Sequence, residues 1–380
     1  MNTQRKKRIC FVTAIPGSAY SFLRDHMVAL REEYEVYYVS NEPDESKVAV
    51  VHDGYYCADI QRGISIGKDI KAIFQLYGFF RRERFDAVHS VTPKAGLLSS
   101  IAGFFARVPI RIHTFTGQVW ANKKGVTRRL LRFMDKMIAL FDNQLLVDGE
   151  GQRQFLIQNK VLSETNSRVL GNGSICGVNL DRFSPDPELR LAARSEIKNV
   201  GSKTVFVFIG RLNRDKGLFV LLPAFNRLAR EREDVFLLLF GPDEEDVASH
   251  FGEYAALNEQ TFCYYGATPE PQVMLQAGDI FVLPTYREGF GSSVIEASAL
   301  GLPVICSDVY GVMDAMVDGE TGLRCHVGDA DSLYAAMKSL TEDPALRVKL
   351  GNAGRERVRR LFDGKEVTRY WVAFYREILG

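Results

Sequence analysis

Two carboxylates, Glu288 and Glu296, stand with seven residues between them inside the stretch from Asp279 to Ser307. An apolar run, Ile280 to Leu283, leads in and breaks at Pro284; Gly289, Phe290 and Gly291 follow Glu288, and Ser292 to Leu300 resumes at helical spacing. The spacing predicts a strand, a glycine loop and a helix N-terminus. Glycine lets the backbone approach a ligand closely, and the unpaired N–H groups of Ser292, Ser293 and Val294 would face an anion. That suits a diphosphate. A carboxylate one turn further along could accept from the two hydroxyls of a ribose, as acidic residues do in dinucleotide sites. A glycine loop before a helix is weak evidence alone, and an ordinary strand-to-helix turn with a solvated Glu288 fits the same spacing.

A second set of chemistry-bearing residues follows the apolar run Thr204 to Ile209: Gly210, Arg211 and Leu212, then Lys216 and Gly217. A guanidinium forks onto phosphate oxygens and an ammonium adds a point charge. Isolated surface cations are common, so these residues count only if the fold brings them to the glycine loop.

The elements around these residues alternate. Arg8 to Ala14, Tyr34 to Ser40, Asp86 to Val91, Ile110 to Thr116 and Gln144 to Val147 read as strands, with helical patterns such as Phe22 to Arg31, Lys68 to Phe80 and Ala95 to Ala106 between them. Strands at Thr204 to Ile209, Val235 to Phe240, Phe262 to Tyr265, Ile280 to Leu283 and Val304 to Cys306 recur in the second half. Alternation of this kind argues an α/β protein with parallel sheets, whose ligands bind beyond the carboxyl ends of the strands. At 380 residues two domains are expected. An irregular segment, RVLGNGSICGVNLDRF from Arg168 to Phe183, places the hinge near residues 175–185. The tail from Val367 to Leu379 carries a 3.6-period apolar stripe and must pack on something.

The string Pro284, Glu288-Gly289-Phe290-Gly291, Glu296-Ala297, Gly301, Pro303-Val304-Ile305 resembles the donor-site signature of the retaining glycosyltransferases of family 4. The resemblance implies the GT-B fold, with two Rossmann-like domains facing a cleft and the C-terminal helix crossing back to the N-terminal domain. Residues 1–175 would form the acceptor-binding domain, joined by the helix 364–380, and residues 176–363 the nucleotide-sugar-binding domain. It implies that Gly210, Arg211, Lys216, Glu288, Gly289, Phe290, Gly291, Ser292, Ser293, Val294 and Glu296 line the donor site, with Arg211, Lys216 and Glu288 serving catalysis. Two strand ends, His89 to Gly96 and Arg111 to Gln118, are similar to those of enzymes that build bacterial capsule, O-antigen and exopolysaccharide. Gly17, Ser18, Lys94 and Thr116 are the acceptor-side candidates. One departure is Thr116, which stands before Gly117 where many members place a histidine that contacts the donor sugar; its hydroxyl can hydrogen-bond but carries no charge. His113 faces the other side of an ideal strand and does not inherit that role.

The chemistry so implied is transfer of a hexose or N-acetylhexosamine from a UDP-sugar, with retention, to a polyprenyl-diphosphate-linked saccharide. The leaving diphosphate would take the proton from the attacking hydroxyl, while Arg211, Lys216 and the helix end stabilise its growing charge. Neither cofactor nor metal is expected, since the mechanism so implied meets the diphosphate charge with Arg211, Lys216 and the helix end, and no histidine cluster with ligand spacing occurs. Two alternatives stay open: a nucleotide-sugar epimerase of the same architecture and a catalytically silent donor-binding subunit.

Composition sets further bounds. An apolar content of 46% and a charged content of 25% are those of a globular protein. The six cysteines are scattered without a Cys-x-x-Cys pair, as buried free thiols in a reducing compartment would be. With no long apolar run at the N-terminus or elsewhere, a cytoplasmic location is expected. The net charge of +1 hides an asymmetry: residues 1–180 carry 25 Lys and Arg against 17 Asp and Glu, a net +8, and residues 181–380 carry 23 against 30, a net −7. Two basic amphipathic segments, Lys68 to Arg84 and Trp120 to Lys136, supply much of the excess. The first fits a core-facing helix with a solvated basic face, and the second is the stronger membrane candidate. The expected setting is therefore peripheral, on the anionic inner face of the cytoplasmic membrane. No nucleic-acid recognition motif accompanies the basic half.

Overall fold

The computed structural model describes residues 5–61, 63 and 65–380. The chain divides into two compact units, Met1–Cys176 with Lys365–Gly380, and Gly177–Gly364.

The first unit is a parallel sheet of β1 (Arg8–Val12), β2 (Glu35–Ser40), β3 (Gly54–Cys57), β4 (Ala87–Val91), β5 (Ile110–Phe115), β6 (Gln144–Val147) and β7 (Ser167–Val169), in the order β3-β2-β1-β4-β5-β6-β7. Strands β3 and β7 escape the sequence reading because each is short, at the sheet edge, and lacks a buried apolar run. From β1 the chain steps outward to β2 and β3, then returns to the other side of β1 at β4, so the strand order reverses between β1 and β4. Right-handed crossovers then place the helices Ile66–Glu83, Pro93–Ala106 and Gly125–Phe141 together on one face. Alternate residues of β1 serve the two faces: Cys10 and Val12 pack with Leu76, Phe80 and Leu98, whereas Ile9 and Phe11 pack with Met27, Leu30, Trp371 and Tyr375.

The apolar tail is the helix Gly364–Leu379, and it crosses back to complete that second face. Its Trp371 ring is stacked between two buried imidazoles, His26 at 4.4 Å and His89 at 5.0 Å. His26 bonds Thr368 Oγ1 at 2.9 Å and the Ile175 carbonyl at 2.7 Å, and His89 bonds Tyr375 Oη and Thr114 Oγ1, each at 2.7 Å. Burial drives the pKa of His26 down to about 4 and that of His89 well below its ordinary value, so both rings stay neutral at pH 7. Protonating them in the unfolded chain costs the fold stability as pH falls from the ordinary histidine value toward about 4. His113 is likewise structural, buried and bonded to Ser90 Oγ at 2.8 Å.

The second unit is also a parallel sheet, of β8 (Thr204–Ile209), β9 (Val235–Phe240), β10 (Phe262–Gly266), β11 (Ile280–Leu283), β12 (Val304–Ser307) and β13 (Gly322–Cys325), in the order β10-β9-β8-β11-β12-β13. Its central strands are buried on both faces, which is why their sequences are continuous apolar runs without alternation. Here the order reverses between β8 and β11, which pair directly through Phe206 with Ile280 and Val207 with Phe281. Both units thus have the doubly wound design that opens a ligand crevice beyond the carboxyl ends of the strands flanking the reversal.

Candidate functional site

The loops that leave β8 and β11 carry the two sets of residues singled out in the sequence, and the strand order makes them neighbours. Gly210 follows β8 with φ +155°, and the carbonyl oxygen of Gly210 would lie 1.9 Å from any Cβ at Gly241. Two glycines let these strand ends cross. The chain then forms a short 3-10 turn, Arg214–Lys216, whose cap Asn213 accepts from the Lys216 amide at 3.0 Å. Gly217 follows at φ +78°, where a Cβ would stand 1.8 Å from the Pro284 carbonyl oxygen.

Asp215 staples this turn to the β11 loop. Its carbonyl accepts from the Tyr286 amide at 2.8 Å and from Thr285 Oγ1 at 2.9 Å, and its carboxylate pairs with Arg287 at 3.2 Å. The staple brings Lys216 Nζ onto Glu288 Oε1 in a mostly buried ion pair. Sequence spacing identified Lys216 and Glu288 but missed Asp215 and Arg287, because an exposed-looking charge pair across a long chain separation has no local signature. Arg211 turns to Glu244, 2.8 Å away, and stays about half exposed.

Beyond Glu288, Gly291 at φ +89° caps the helix Ser292–Ala299. The amides of Ser292 and Ser293 make no hydrogen bond among the described residues, as expected for a helix start. Val294 departs from expectation: its amide already donates to the Gly291 carbonyl at 2.9 Å, so the tight first turn leaves two free donors rather than three. Phe290 departs too. Its side chain is in the core, edge-on to Phe362 with centroids 5.2 Å apart, and only its backbone borders the loop. Gly311 allows another segment to close on this loop, since a Cβ there would meet the Gly289 oxygen at 2.4 Å and the Glu288 oxygen at 2.5 Å.

Glu296 lies on the same helix, half-buried and with no hydrogen bond to its carboxylate among the described residues. Burial raises its pKa to about 7, against a weaker opposing pull from Arg182. A half-buried carboxylate without a donor is ready to accept from a ligand.

The first unit offers less. Gly17 and Ser18, the acceptor-side candidates, belong to the helix Pro16–Phe22, and the Ser18 amide is already bonded to the Ile15 carbonyl at 3.2 Å. Lys94 is occupied as well, paired with Asp69 at 2.5 Å and donating to the Gly63 carbonyl at 3.0 Å. Thr116 is half-buried beyond β5, next to Gly117 at φ +115°. A residue given no role in the sequence reading is the strained one: Thr92, just past the end of β4, has φ +81° and ψ 140°, and its buried hydroxyl has no partner among the described residues. That conformation is nearly confined to glycine, and it sits at the reversal of the strand order.

Comparison with known proteins bears on this arrangement. The family described as a glycosyl transferase 4-like domain matches residues 22–173, and the glycosyl transferases group 1 match residues 190–357. The chain is 29% identical to the capsular polysaccharide biosynthesis glycosyltransferase CapM of Staphylococcus aureus, over 98% of each chain. It is 31% identical to alpha-maltose-1-phosphate synthase of Mycolicibacterium smegmatis, over 77% of this chain and 79% of that one. It is 24% identical to the UDP-Gal:alpha-D-GlcNAc-diphosphoundecaprenol alpha-1,3-galactosyltransferase of Escherichia coli, over 78% and 77% of the two chains. Among solved structures, sucrose-phosphate synthase of Thermosynechococcus elongatus superposes with a TM-score of 0.82 at 21% identity, covering 98% of this chain and 99% of that one. Anabaena HepE, solved in complex with UDP, gives 0.81 at 17% identity over 98% and 100%. The chain belongs to the GT-B glycosyltransferases, with a 4-like domain in its N-terminal half and a group 1 domain in its C-terminal half, and it resembles the enzymes of bacterial capsule and exopolysaccharide synthesis.

Proposed function

We propose that the protein moves a hexose or N-acetylhexosamine from a UDP-sugar, with retention and without a metal, to a saccharide carried on a polyprenyl diphosphate. The observation that carries this reading is the Lys216 and Glu288 pair, set where the strand order reverses and beside the free amides of Ser292 and Ser293. A diphosphate leaving group needs positive charge and N–H donors on one side and a carboxylate near the sugar on the other. In this reading Lys216, Arg211 and the helix end stabilise the leaving diphosphate, which takes the proton from the attacking hydroxyl. Glu288 orients the sugar and favours positive character at its anomeric carbon. Glu296 receives the ribose hydroxyls. A lipid-linked acceptor fits the activity named for the Escherichia coli relative, and UDP fits the Anabaena complex. Among the described residues no helix is long and apolar enough to cross a membrane, and the +8 of residues 1–180 would hold the acceptor side on an anionic cytoplasmic leaflet.

Incubation with a panel of UDP- and GDP-sugars plus bacterial membrane lipid, followed by mass analysis and anomeric NMR, tests the proposal. Transfer to lipid with retention is the expected result. Release of an epimerised free sugar would replace it with the epimerase, and tight UDP binding without turnover would replace it with a donor-binding subunit.

The Glu296 carboxylate supplies a sharper check. The ionised carboxylate accepts through both oxygens, whereas the protonated form gives up acceptor capacity to its own O–H, so UDP affinity is expected to rise as pH passes upward through about 7. The same shift costs stability in the opposite sense: the unfolded carboxyl ionises at a lower pH than the folded one, so stability falls as pH climbs from about 4.3 to about 7. Glu296→Gln should therefore weaken UDP binding about tenfold, the loss of one charge-assisted hydrogen bond, and raise the melting temperature at pH 8. Titration calorimetry and thermal melts read the two effects. A variant that binds UDP normally would remove Glu296 from the site.

A further inference from the structure

The helices on one face of the first unit do not bury all their apolar residues. In Ile66–Glu83, Ala72, Leu76, Phe79 and Phe80 face the core, whereas Ile66, Ile70, Phe74 and Tyr77 point outward and Phe74 is 70% exposed. The core-facing helix with only a basic outer face, expected from sequence, is thus half of what is found. In Gly125–Phe141 the inward face is fixed by polar anchors: Trp120 Nε1 donates to the buried Asp135 at 2.7 Å, and Ser100 donates to Asp142, just past the helix, at 2.6 Å. That orientation turns Val126, Leu130, Phe133 and Leu140 to the outside, with Phe133 57% and Leu140 70% exposed. At about 100° per residue these four fall within a sector of roughly 80°. Arg129 and Lys136 border the sector on one side, Lys123 stands exposed just before the helix, and none of the three makes an ion pair among the described residues. Between the two helices, Phe104 and Phe105 at the end of Pro93–Ala106 stand exposed and pack against Phe141. Nearly half of the exposed large apolar side chains described lie on these three neighbouring helices.

We infer that this face inserts into an anionic phospholipid bilayer, with Leu130, Phe133, Leu140 and Phe74 reaching the boundary between headgroups and acyl chains and Lys123, Arg129 and Lys136 at the phosphates. The inference rests on the proposed lipid-linked acceptor and goes beyond electrostatic adsorption. Charge complementarity selects the occupant. Apolar side chains flanked by unpaired cations match the polarity profile of an anionic leaflet, with phosphates above hydrocarbon. Attraction by charge alone would be screened at 1 M salt, where the Debye length is about 3 Å, whereas burial of apolar surface would not.

The test is co-flotation of the full chain with vesicles of phosphatidylcholine and of phosphatidylcholine with phosphatidylglycerol, at low and high salt. Wild type should bind the anionic vesicles and keep a salt-resistant fraction. Leu130→Ser, Phe133→Ser and Leu140→Ser combined should lower binding at least tenfold and abolish that fraction. Reversing Lys123, Arg129 and Lys136 to glutamate should abolish the preference for anionic lipid. All six positions lie outside the core, and unchanged melting temperature and UDP affinity confirm that each variant is folded. Wild type that does not float with anionic vesicles overturns the inference. So does a serine variant that floats like wild type, or one that turns a wild-type oligomer into a monomer in sedimentation, which would assign the face to a second copy of the chain. If wild type transfers sugar without binding vesicles, only this inference fails; if it binds vesicles but transfers nothing, the proposed function fails instead.

Discussion

Lys216→Ala is expected to lower kcat by about 10²-fold, with the melting temperature little changed. Removing one preorganised donor from a site of charge development costs about 2.7–4 kcal/mol, and Lys216 is the mostly buried cation that the Asp215 staple holds against Glu288. Glu288→Gln should show a matching loss in kcat while UDP binds with near-normal affinity, because its partner in the proposed chemistry is the sugar. Arg211→Ala should cost less, roughly tenfold. Arg211 is half exposed and already bound to Glu244, so a phosphate must compete for it. Steady-state kinetics with UDP titrations separate these effects. Equal kcat in wild type and Lys216→Ala would remove the diphosphate assignment, and a Glu288→Gln variant that loses UDP affinity but keeps its turnover would reverse the roles of the two glutamates.

Gly217→Ala should be the most disruptive small substitution near the site. The position demands φ +78°, which costs an L-residue about 1–2 kcal/mol. In addition, the new Cβ would stand 1.8 Å from the Pro284 carbonyl oxygen, backbone that cannot swing aside without moving the end of β11. A total of about 3 kcal/mol or more is expected, a fall of roughly 10 °C in the melting of a unit this size. Gly319→Ala is the matched control. Its φ of +74° is nearly the same, but nothing lies within 4 Å of the added carbon, so only the conformational part should appear. If the two variants melt together, the contact between the Lys216 turn and Pro284 is not what holds the loops in register.

Much of this architecture is written locally. Strands β8, β9 and β11 have the bounds that their apolar runs predict, because a strand buried on both faces must be apolar throughout and is bounded where that run ends. The helix Gly364–Leu379 announces itself through periodicity, and its apolar stripe requires a partner even before the partner is known. Glu288, Gly291 and Glu296 are legible for a similar reason: the glycine loop and the helix start are contiguous in the chain, so the motif is complete within one stretch of sequence.

Tertiary structure decided what depends on neighbours distant in the chain. Pairing of Lys216 with Glu288 follows from the adjacency of β8 and β11, and the Asp215 and Arg287 staple exists only because the two loops meet. Val294 and Phe290 were withdrawn from the ligand side by contacts that spacing does not encode, an early turn closed by the Gly291 carbonyl and a core partner at Phe362. The same holds for Lys94, claimed by Asp69, and for Ser18, whose amide is bonded within a helix. Periodicity also left open which apolar residues of Ile66–Glu83 would be buried. A helix can carry two apolar faces, and only the sheet beneath it selects the one that leaves water, which is why Phe74 and Phe133 became visible as an exposed surface only in three dimensions.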